Sequence, residues 1–192
     1  MAQQRRVPDS ETVVMEHRPA AMPEISVQVL CLGNTLLRDD GVGWEVAALL
    51  QDRLDPGSAT ITWGGTGGDA LLDLLQPCRH LVVVDALDCG LQPGSVHELG
   101  VHDLDRMPTP RLKSSHGLDL GLVLELYRTL YSCRWPEEVL IVGIQIQEMC
   151  FFGEGCAPAV LQGAREASER IATQIQRWTR PLEARNSQAH GV

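Results

Sequence analysis

Two carboxylate loops and one histidine in this sequence are of the residue types that hold a divalent metal. Asp39 and Asp40 follow a strand-like run in "LCLGNTLLRDDGVG", Asp85 ends the apolar run "LVVVDA", and His116 lies in "SSHG" before a helical run. Oxygen and nitrogen ligands with open coordination positions suit a transition metal such as nickel or zinc, whereas a structural zinc favours thiolates. The residue types therefore predict a divalent-metal site.

Each of these residues also has an ordinary structural interpretation. Asp39 or Asp40 could cap the helix that follows, because a carboxylate there meets free N–H groups and the positive end of the dipole. Asp85 could cap a turn, and His116 could donate to a carbonyl. One cap needs one carboxylate, so the second member of the acidic pair has no place in this interpretation.

Two other kinds of site fit the sequence poorly. The loop at 33–43 matches neither GxGxxG nor a Walker A loop, and its two aspartates would repel phosphates. Ser114 or Ser115 beside His116 could suggest a nucleophile and its base, but adjacent side chains seldom face each other and no GxSxG elbow is present.

The elements that must position these residues alternate between strands and helices. Two strand candidates, "LVVVDA" and "VLIVGIQI", are continuously apolar, as in a parallel sheet buried on both faces. The predicted fold is an α/β, three-layer α/β/α sandwich around a mostly parallel twisted sheet of about five strands. The predicted strands are 27–32, 59–63, 81–85, 95–99 and 139–146, and the predicted helices are 41–54, 69–75, 116–131 and 158–180. The carboxyl ends of the strands would gather the candidate ligands at one edge.

Local patterns add three expectations. "QPGS" at 92–95 has turn chemistry, so the strand after it is predicted to be an antiparallel edge strand. Pro158 suits the first turn of the last helix. The buried face of that helix is predicted from apolar residues spaced by three or four, Val160, Ala164, Ala167, Ile171, Ile175 and Trp178. On the third helix, the face predicted to pack on the sheet is Leu118, Leu122, Leu126 and Leu130.

Composition limits the class of protein. The chain has 192 residues, 44% hydrophobic content, a net charge of −9 and a single lysine, Lys113. It lacks the basic footprint that a nucleic-acid or membrane-surface protein needs, so neither partner is expected. Residues 26–180 are predicted to form one domain between flexible tails at 1–25 and 181–192. With no signal or spanning segment evident, the expected location is cytoplasmic, and the expected state is a monomer.

Four motifs make the sequence resemble the nickel–iron hydrogenase maturation endopeptidases, which process the hydrogenase large subunit. The motifs are "LGNTLLRDDGVG" at 32–43, "GGTGGDALLDLL" at 64–75, "VVVDAL" at 82–87 and "SSHGLDLGLVL" at 114–124. They occur in family order, and the resemblance covers about residues 27 to 175. It departs from the family at Trp63, where an acidic residue is common, and at Asp40, where many members have glutamate.

The resemblance implies a function and a set of residues. The chain would remove the C-terminal extension of a nickel–iron hydrogenase large-subunit precursor after nickel insertion. Its metal ligands would be Asp40, Asp85 and His116, with Asp39 as an alternative base. The nickel would be carried by the substrate, and another divalent metal could replace it in vitro.

A second loop is assigned to the substrate as a hypothesis. Gly64, Gly65, Thr66 and Gly67 would let the backbone approach the extended peptide closely. The alternative is a tight strand-to-helix turn.

Two other functions remain open at the level of sequence. A non-catalytic checkpoint or chaperone of hydrogenase assembly could use the same three ligands. A nucleotide-binding α/β protein would respond to ATP or NAD rather than to a divalent metal.

Overall fold

A computed structural model of the chain describes residues 25–66, 68–104, 120–147 and 152–180. Within these ranges one sheet has five strands, in the order β2-β1-β3-β5-β4. Neighbouring strands are parallel except for β4, which pairs antiparallel with β5 at the edge. The strands are β1 (Ile25–Leu32), β2 (Thr60–Gly65), β3 (Cys78–Leu87), β4 (Val96–Leu99) and β5 (Glu138–Gln145). All five predicted strands are confirmed, including the antiparallel edge strand after "QPGS".

Helices cover both faces of this sheet, as the predicted three-layer sandwich requires. The helices are α1 (Val42–Arg53), α2 (Leu71–Leu74), α3 (Val101–Leu104), α4 (Leu120–Leu130) and α5 (Pro158–Thr179). One hydrophobic cluster joins α1 and α5 to one face of the sheet, and a second joins α2 and α4 to the other. The short helix α3 was not predicted, because four residues carry no periodic pattern.

The central strands are buried because helices pack on both of their faces. Along β3, Val82 and Val84 belong to the α1/α5 cluster, whereas Leu81 and Val83 belong to the α2/α4 cluster. Successive side chains of a strand point to opposite faces, so a continuous apolar run is needed where both faces are covered. This explains why "LVVVDA" has no polar alternation.

Helix α5 confirms its predicted face. Pro158 stands at its first turn, where the missing N–H costs nothing. The predicted face is buried along its whole length, with Val160, Ala164, Ala167, Ile171 and Ile175 at 0% exposure and Trp178 at 8%.

Helix α4 corrects the predicted face of the third helix. Leu122 is 43% exposed and Leu130 is 62% exposed, so the leucine row does not pack on the sheet. The buried row is instead Leu120, Val123, Leu124 and Tyr127. Both rows have helical spacing, and the sheet covers the one that includes the larger Tyr127 ring. Leu118 lies outside the described residues.

Several expectations fall on parts of the chain that the structure leaves undescribed. They include the tail residues 1–24 and 181–192, Gly67, and the segment 105–119 that contains His116. Ile25 belongs to β1, which therefore begins one residue before the predicted domain boundary. Within the described ranges, no helix is both long and apolar enough to cross a membrane.

Candidate functional site

The two acidic segments meet at the point where the strand order reverses. From β1 the chain goes to β2 on one side, and β3 lies on the other side of β1. Asp40 follows β1, and Asp85 lies near the end of β3. A crevice forms at such a switch point because the two connections leave in opposite directions, and ligands of open α/β sheets bind there.

A 3-10 turn, Arg38–Gly41, presents Asp40 at this edge and contacts β3. The loop before it is closed by hydrogen bonds from Asn34 N to the Asp40 carbonyl, 3.2 Å, and from Asp40 N to the Leu37 carbonyl, 3.2 Å. The Asn34 side chain accepts from Leu36 N at 3.0 Å. Asn34 therefore shapes the loop that holds Asp40.

Two glycines of the first motif allow the loop and α1 to pack directly on the end of β1. A Cβ at Gly33 would lie 2.0 Å from the Asp40 carbonyl oxygen, and a Cβ at Gly43 would lie 2.0 Å from the Leu32 carbonyl oxygen. Neither distance is possible for a real side chain. The glycines thus place the acidic pair by close backbone contact.

Asp85 is buried, with 2% of its surface exposed. Its Oδ1 accepts from Ala86 N at 2.8 Å, while its Oδ2 has no hydrogen-bond partner among the described residues. Burial, the largest cause, raises the pKa of the Asp85 carboxyl to about 7; the Ala86 hydrogen bond lowers it, and the charge of Asp40 raises it. A buried carboxylate with an unsatisfied oxygen next to a second carboxylate is costly without a cation.

The donor set that the structure describes is therefore suited to a divalent cation, but it is incomplete. Asp85 alternates with Val83 and Leu87, so it faces the α2/α4 side of the sheet. In the described part of the chain, no three His, Cys, Asp or Glu side chains are grouped to hold a metal ion. His116 lies outside that part.

Asp39 does not cap the helix that follows it. The N-terminus of α1 has no side-chain cap. Instead, Asp39 Oδ2 accepts from Gln147 N at 2.9 Å and Oδ1 accepts from Ala157 N at 2.6 Å. Asp39 therefore joins the acidic turn to the end of β5 and the start of α5. Because both oxygens of the Asp39 carboxylate already accept hydrogen bonds from the backbone, a structural role is favoured over that of a catalytic base.

The glycines at positions 64 and 65 are explained by local packing and backbone conformation. Gly64 lies in β2, where a Cβ would be 2.5 Å from the Leu32 side chain. Gly65 has φ +56°, a conformation that favours glycine, and its carbonyl accepts from Gly33 N at 2.7 Å. These contacts fit a tight turn joined to the acidic loop. The predicted contacts of Gly64, Gly65 and Thr66 with substrate stay a prediction, and Gly67 lies outside the described residues.

One feature beside the site was not predicted from the sequence. Trp63, noted only as a departure from the motif, meets Trp44 edge to face, with ring centroids 5.4 Å apart. Both indoles line a cavity of about 320 Å³ next to the acidic turn. Trp44 lies four residues after Asp40, but nothing local indicates that the two tryptophans meet.

Comparison with known proteins gives one consistent result. Residues 44–174 match the family model of hydrogenase maturation protease. The chain is 30% identical to the hydrogenase expression/formation protein HoxM of Azotobacter vinelandii over 151 residues, which is 78% of this chain and 72% of HoxM. It is 32% identical over 148 residues to HupD of Thiocapsa roseopersicina, covering 77% of this chain and 65% of HupD, slightly under two thirds of that relative.

The fold is also similar to solved structures. The hydrogenase maturating endopeptidase HybD from E. coli superposes with a TM-score of 0.67 at 25% identity, covering 81% of this chain and 94% of HybD. A [NiFe] hydrogenase maturation protease HybD from Thermococcus kodakarensis has the same fold, with a TM-score of 0.64 at 22% identity, covering 79% of this chain and 99% of that one.

Proposed function

Because this chain belongs to the hydrogenase maturation protease family, we propose that it removes the C-terminal extension of a nickel–iron hydrogenase large-subunit precursor. The cut follows nickel insertion, and the enzyme recognises the nickel that its substrate carries. The supporting observation is the buried Asp85 carboxyl beside Asp40 at the switch point of the sheet, with one oxygen that has no hydrogen-bond partner in the described part of the chain.

Asp40, Asp85 and His116 are the proposed ligands of the precursor's nickel. Leu120, four residues after His116, is buried in the cluster that also contains Leu87, two residues beyond Asp85. Four residues span at most about 14 Å. The start of α4 is therefore anchored on the same face of the sheet as Asp85, and His116 is close enough in sequence to complete the set.

Holding the nickel would position the scissile peptide and make cleavage depend on a loaded precursor. Fixed geometry of this kind lowers the barrier by replacing an encounter with an intramolecular step. The substrate's nickel would supply Lewis-acid charge to the peptide carbonyl or to the attacking water. Asp85 would lose its proton when a cation binds, because the positive charge stabilises the carboxylate and offsets the effect of burial on its pKa.

The remaining predicted residues have supporting roles in this proposal. Asp39 fixes the acidic turn against Gln147 and Ala157, and so holds Asp40 in place. Gly64, Gly65, Thr66 and Gly67 are the proposed contacts for the substrate's extended tail. The carboxyl edge of the sheet then carries both the metal ligands and the peptide.

The test is cleavage of purified, nickel-loaded precursor, followed by mass spectrometry. Asp40→Ala and His116→Ala should each slow cleavage by about 100-fold or more, because a misplaced substrate loses the benefit of orientation. Asp52→Asn, an exposed change on α1, is the matched control and should leave the rate unchanged.

Two outcomes would contradict the proposal. Wild-type rates for both variants would remove Asp40 and His116 from the mechanism. A wild-type chain that binds loaded precursor but leaves its C-terminal extension intact would be a checkpoint or chaperone instead of a protease.

A further inference from the structure

Gln145 is a buried polar side chain that lies outside the proposed set of nickel ligands. It is the last residue of β5, and 2% of its surface is exposed. Its Oε1 accepts from Cys89 N at 3.0 Å, and its Nε2 donates to the Ile146 carbonyl at 2.8 Å. Because both ends of the amide are hydrogen-bonded, the side chain is held in one orientation.

The Gln145 side chain lies on the same face of the sheet as Asp85. Ile144 belongs to the α1/α5 cluster, and successive side chains of a strand point to opposite faces, so Gln145 faces the α2/α4 side. Across the ladder between β3 and β5, Asp85 pairs with Gly143 and Leu87 pairs with Gln145. Gln145 is therefore the next position on this face toward the carboxyl edge of the sheet.

The backbone of Gln145 binds the other end of the connection between β3 and β4. Gln145 N donates to the Ser95 carbonyl at 2.9 Å, and the Gln145 carbonyl accepts from Gly94 N at 2.8 Å. The loop 89–94 is thus bonded to this one residue at its start and at its end. The carboxyl end of β3, which carries Asp85, can separate from β5 only if the bond between Gln145 and Cys89 breaks.

The end of β5 also holds the acidic turn. Gln147 N donates to Asp39 Oδ2 at 2.9 Å, and Ile146 N donates to the Leu87 carbonyl at 2.9 Å. Residues 145–147 therefore bind both segments that carry the described candidate ligands, the turn before α1 and the end of β3.

We propose that Gln145 is a positioning residue, which fixes Asp85 relative to the acidic turn through Cys89 and β3. Cleavage needs such support because the groups that bind a reacting centre must be held in a fixed geometry, and a displacement of about 1 Å can lower the rate about 100-fold. The role in cleavage rests on the proposed function, whereas the fixed end of β3 rests on the hydrogen bonds of Gln145.

The residue type matters because position 145 needs both a donor and an acceptor. Methionine is similar in length but has no strong polar group, so Gln145→Met would remove the partners of Cys89 N and of the Ile146 carbonyl. Asparagine retains the amide but is one methylene shorter, so Gln145→Asn should not reach both partners. Both variants are therefore expected to release the end of β3.

Gln28 offers a matched control on the same face of the sheet. It is a second buried glutamine, with 0% of its surface exposed, and it lies on β1 between two residues of the α1/α5 cluster. Its amide donates to Thr62 Oγ1 and to the Leu74 carbonyl and accepts from Gln76 N. Gln28 thus has the same chemistry as Gln145 and at least as many hydrogen bonds.

The control differs from Gln145 in its distance from the site. Gln28 pairs with Leu81, which is about 13 Å before Asp85 along β3. Gln28→Met should therefore lower the melting temperature by about 5 °C, at least as much as Gln145→Met does, without moving Asp85.

Hydrogen exchange at Ala86 N follows Asp85 without any substrate, because this N–H donates to Asp85 Oδ1. At a temperature where both variants of the full chain are folded, exchange at Ala86 N should be about 10-fold faster in Gln145→Met than in Gln28→Met. If Gln145→Met does not fold, Gln145→Asn replaces it, with the same expected direction. Equal exchange in the two variants would overturn the inference.

Cleavage of nickel-loaded precursor gives the second measurement. Gln145→Met should lower kcat/KM about 10-fold or more, whereas Gln28→Met should retain the wild-type value. A purely structural role predicts instead that two variants of similar melting temperature cleave equally well. Equal cleavage would remove Gln145 from the positioning of the site, even if exchange at Ala86 N differed.

The two proposals fail in different ways. If the wild-type chain cleaves no precursor but exchange at Ala86 N differs as expected, the protease function is wrong and Gln145 still positions Asp85. If the wild-type chain cleaves and the two variants agree in exchange and in cleavage, the inference about Gln145 is wrong and the protease function stands.

Discussion

Asp39 holds two backbone N–H groups that are more than 100 residues away in the sequence. Its carboxylate accepts from Gln147 N and from Ala157 N, with sequence separations of 108 and 118. Ala157 precedes the first residue of α5, where the free N–H groups and the helix dipole favour a negative charge. Asp39 therefore supports the start of α5 instead of capping α1, the helix that immediately follows it.

Asp39→Asn is expected to lower the free energy of unfolding by about 2 kcal/mol. The amide retains one acceptor, and its NH₂ group would face a backbone N–H, which leaves a donor without a partner. Urea denaturation measures the loss, and hydrogen exchange should become faster at Gln147 N or Ala157 N. Asp52→Asn, exposed on α1, should change neither quantity.

The same variant separates support from catalysis. If Asp39 were the base, Asp39→Asn would lower kcat by several orders of magnitude while the unfolding free energy and the two exchange rates stayed at wild-type values. That result would contradict the supporting role.

At the scale of elements, the end of β1 and the start of α1 are held together by backbone contact. Gly43 lies in the first turn of α1, against the Leu32 carbonyl. In an exposed helix, alanine in place of glycine would stabilise by up to about 1 kcal/mol. Here the close approach of Gly43 to the Leu32 carbonyl should make the alanine substitution destabilising instead.

Gly43→Ala is therefore expected to destabilise the protein by about 2 kcal/mol, as overpacked sites do. The displaced helix would also move the turn that carries Asp40, so cleavage should slow in the folded variant. Thermal unfolding and the cleavage rate measure the two effects. Gly100→Ala is the control, because a Cβ there has its nearest contact at 3.5 Å, an ordinary distance. Greater stability in Gly43→Ala would show that α1 is not fixed by this contact.

The buried face of helix α4 depends on the elements that pack against it. The run "LGLVLELYRTL" is apolar on more than one side, so its helical spacing defines two rows. Burial of Tyr127 rather than Leu130 is decided by where the helix lies against α2 and the sheet. Helix α5 has only one apolar row, so the spacing of its apolar residues was sufficient to predict its buried face.

At the scale of the whole molecule, the candidate site couples stability to pH. The pKa of Asp85 is about 7 in the folded protein, against an ordinary value of 3.8. A raised pKa means that the folded state binds the proton more tightly than the unfolded state does. The corresponding stability is fully present below pH 3.8 and is lost as the pH rises through 7.

Between pH 5.5 and 8.5, Asp85 should therefore cost the metal-free protein about 2 kcal/mol of stability. Asp85→Asn cannot ionise, so its melting temperature should fall less over this range and should exceed the wild-type value at pH 8.5. Thermal unfolding in the presence of a chelator gives the comparison. An equal fall in both proteins would place the ionisation elsewhere.

The same variant should not cleave precursor, although it is more stable at high pH. A functional site often retains groups that destabilise the free protein. Gain of stability together with loss of activity would distinguish Asp85 from a residue that only supports the fold.

The sequence by itself determined the strands, their parallel arrangement and the position of the acidic residues at strand ends. These follow from local apolar periodicity and from the rule that parallel strands present their carboxyl ends at one edge. Four motifs also led to the correct family. The partners of Asp39, the pairing of Trp44 with Trp63 and the buried row of α4 were decided only by the tertiary structure. Each depends on segments that are distant in sequence, and local patterns carry no information about which distant surfaces meet.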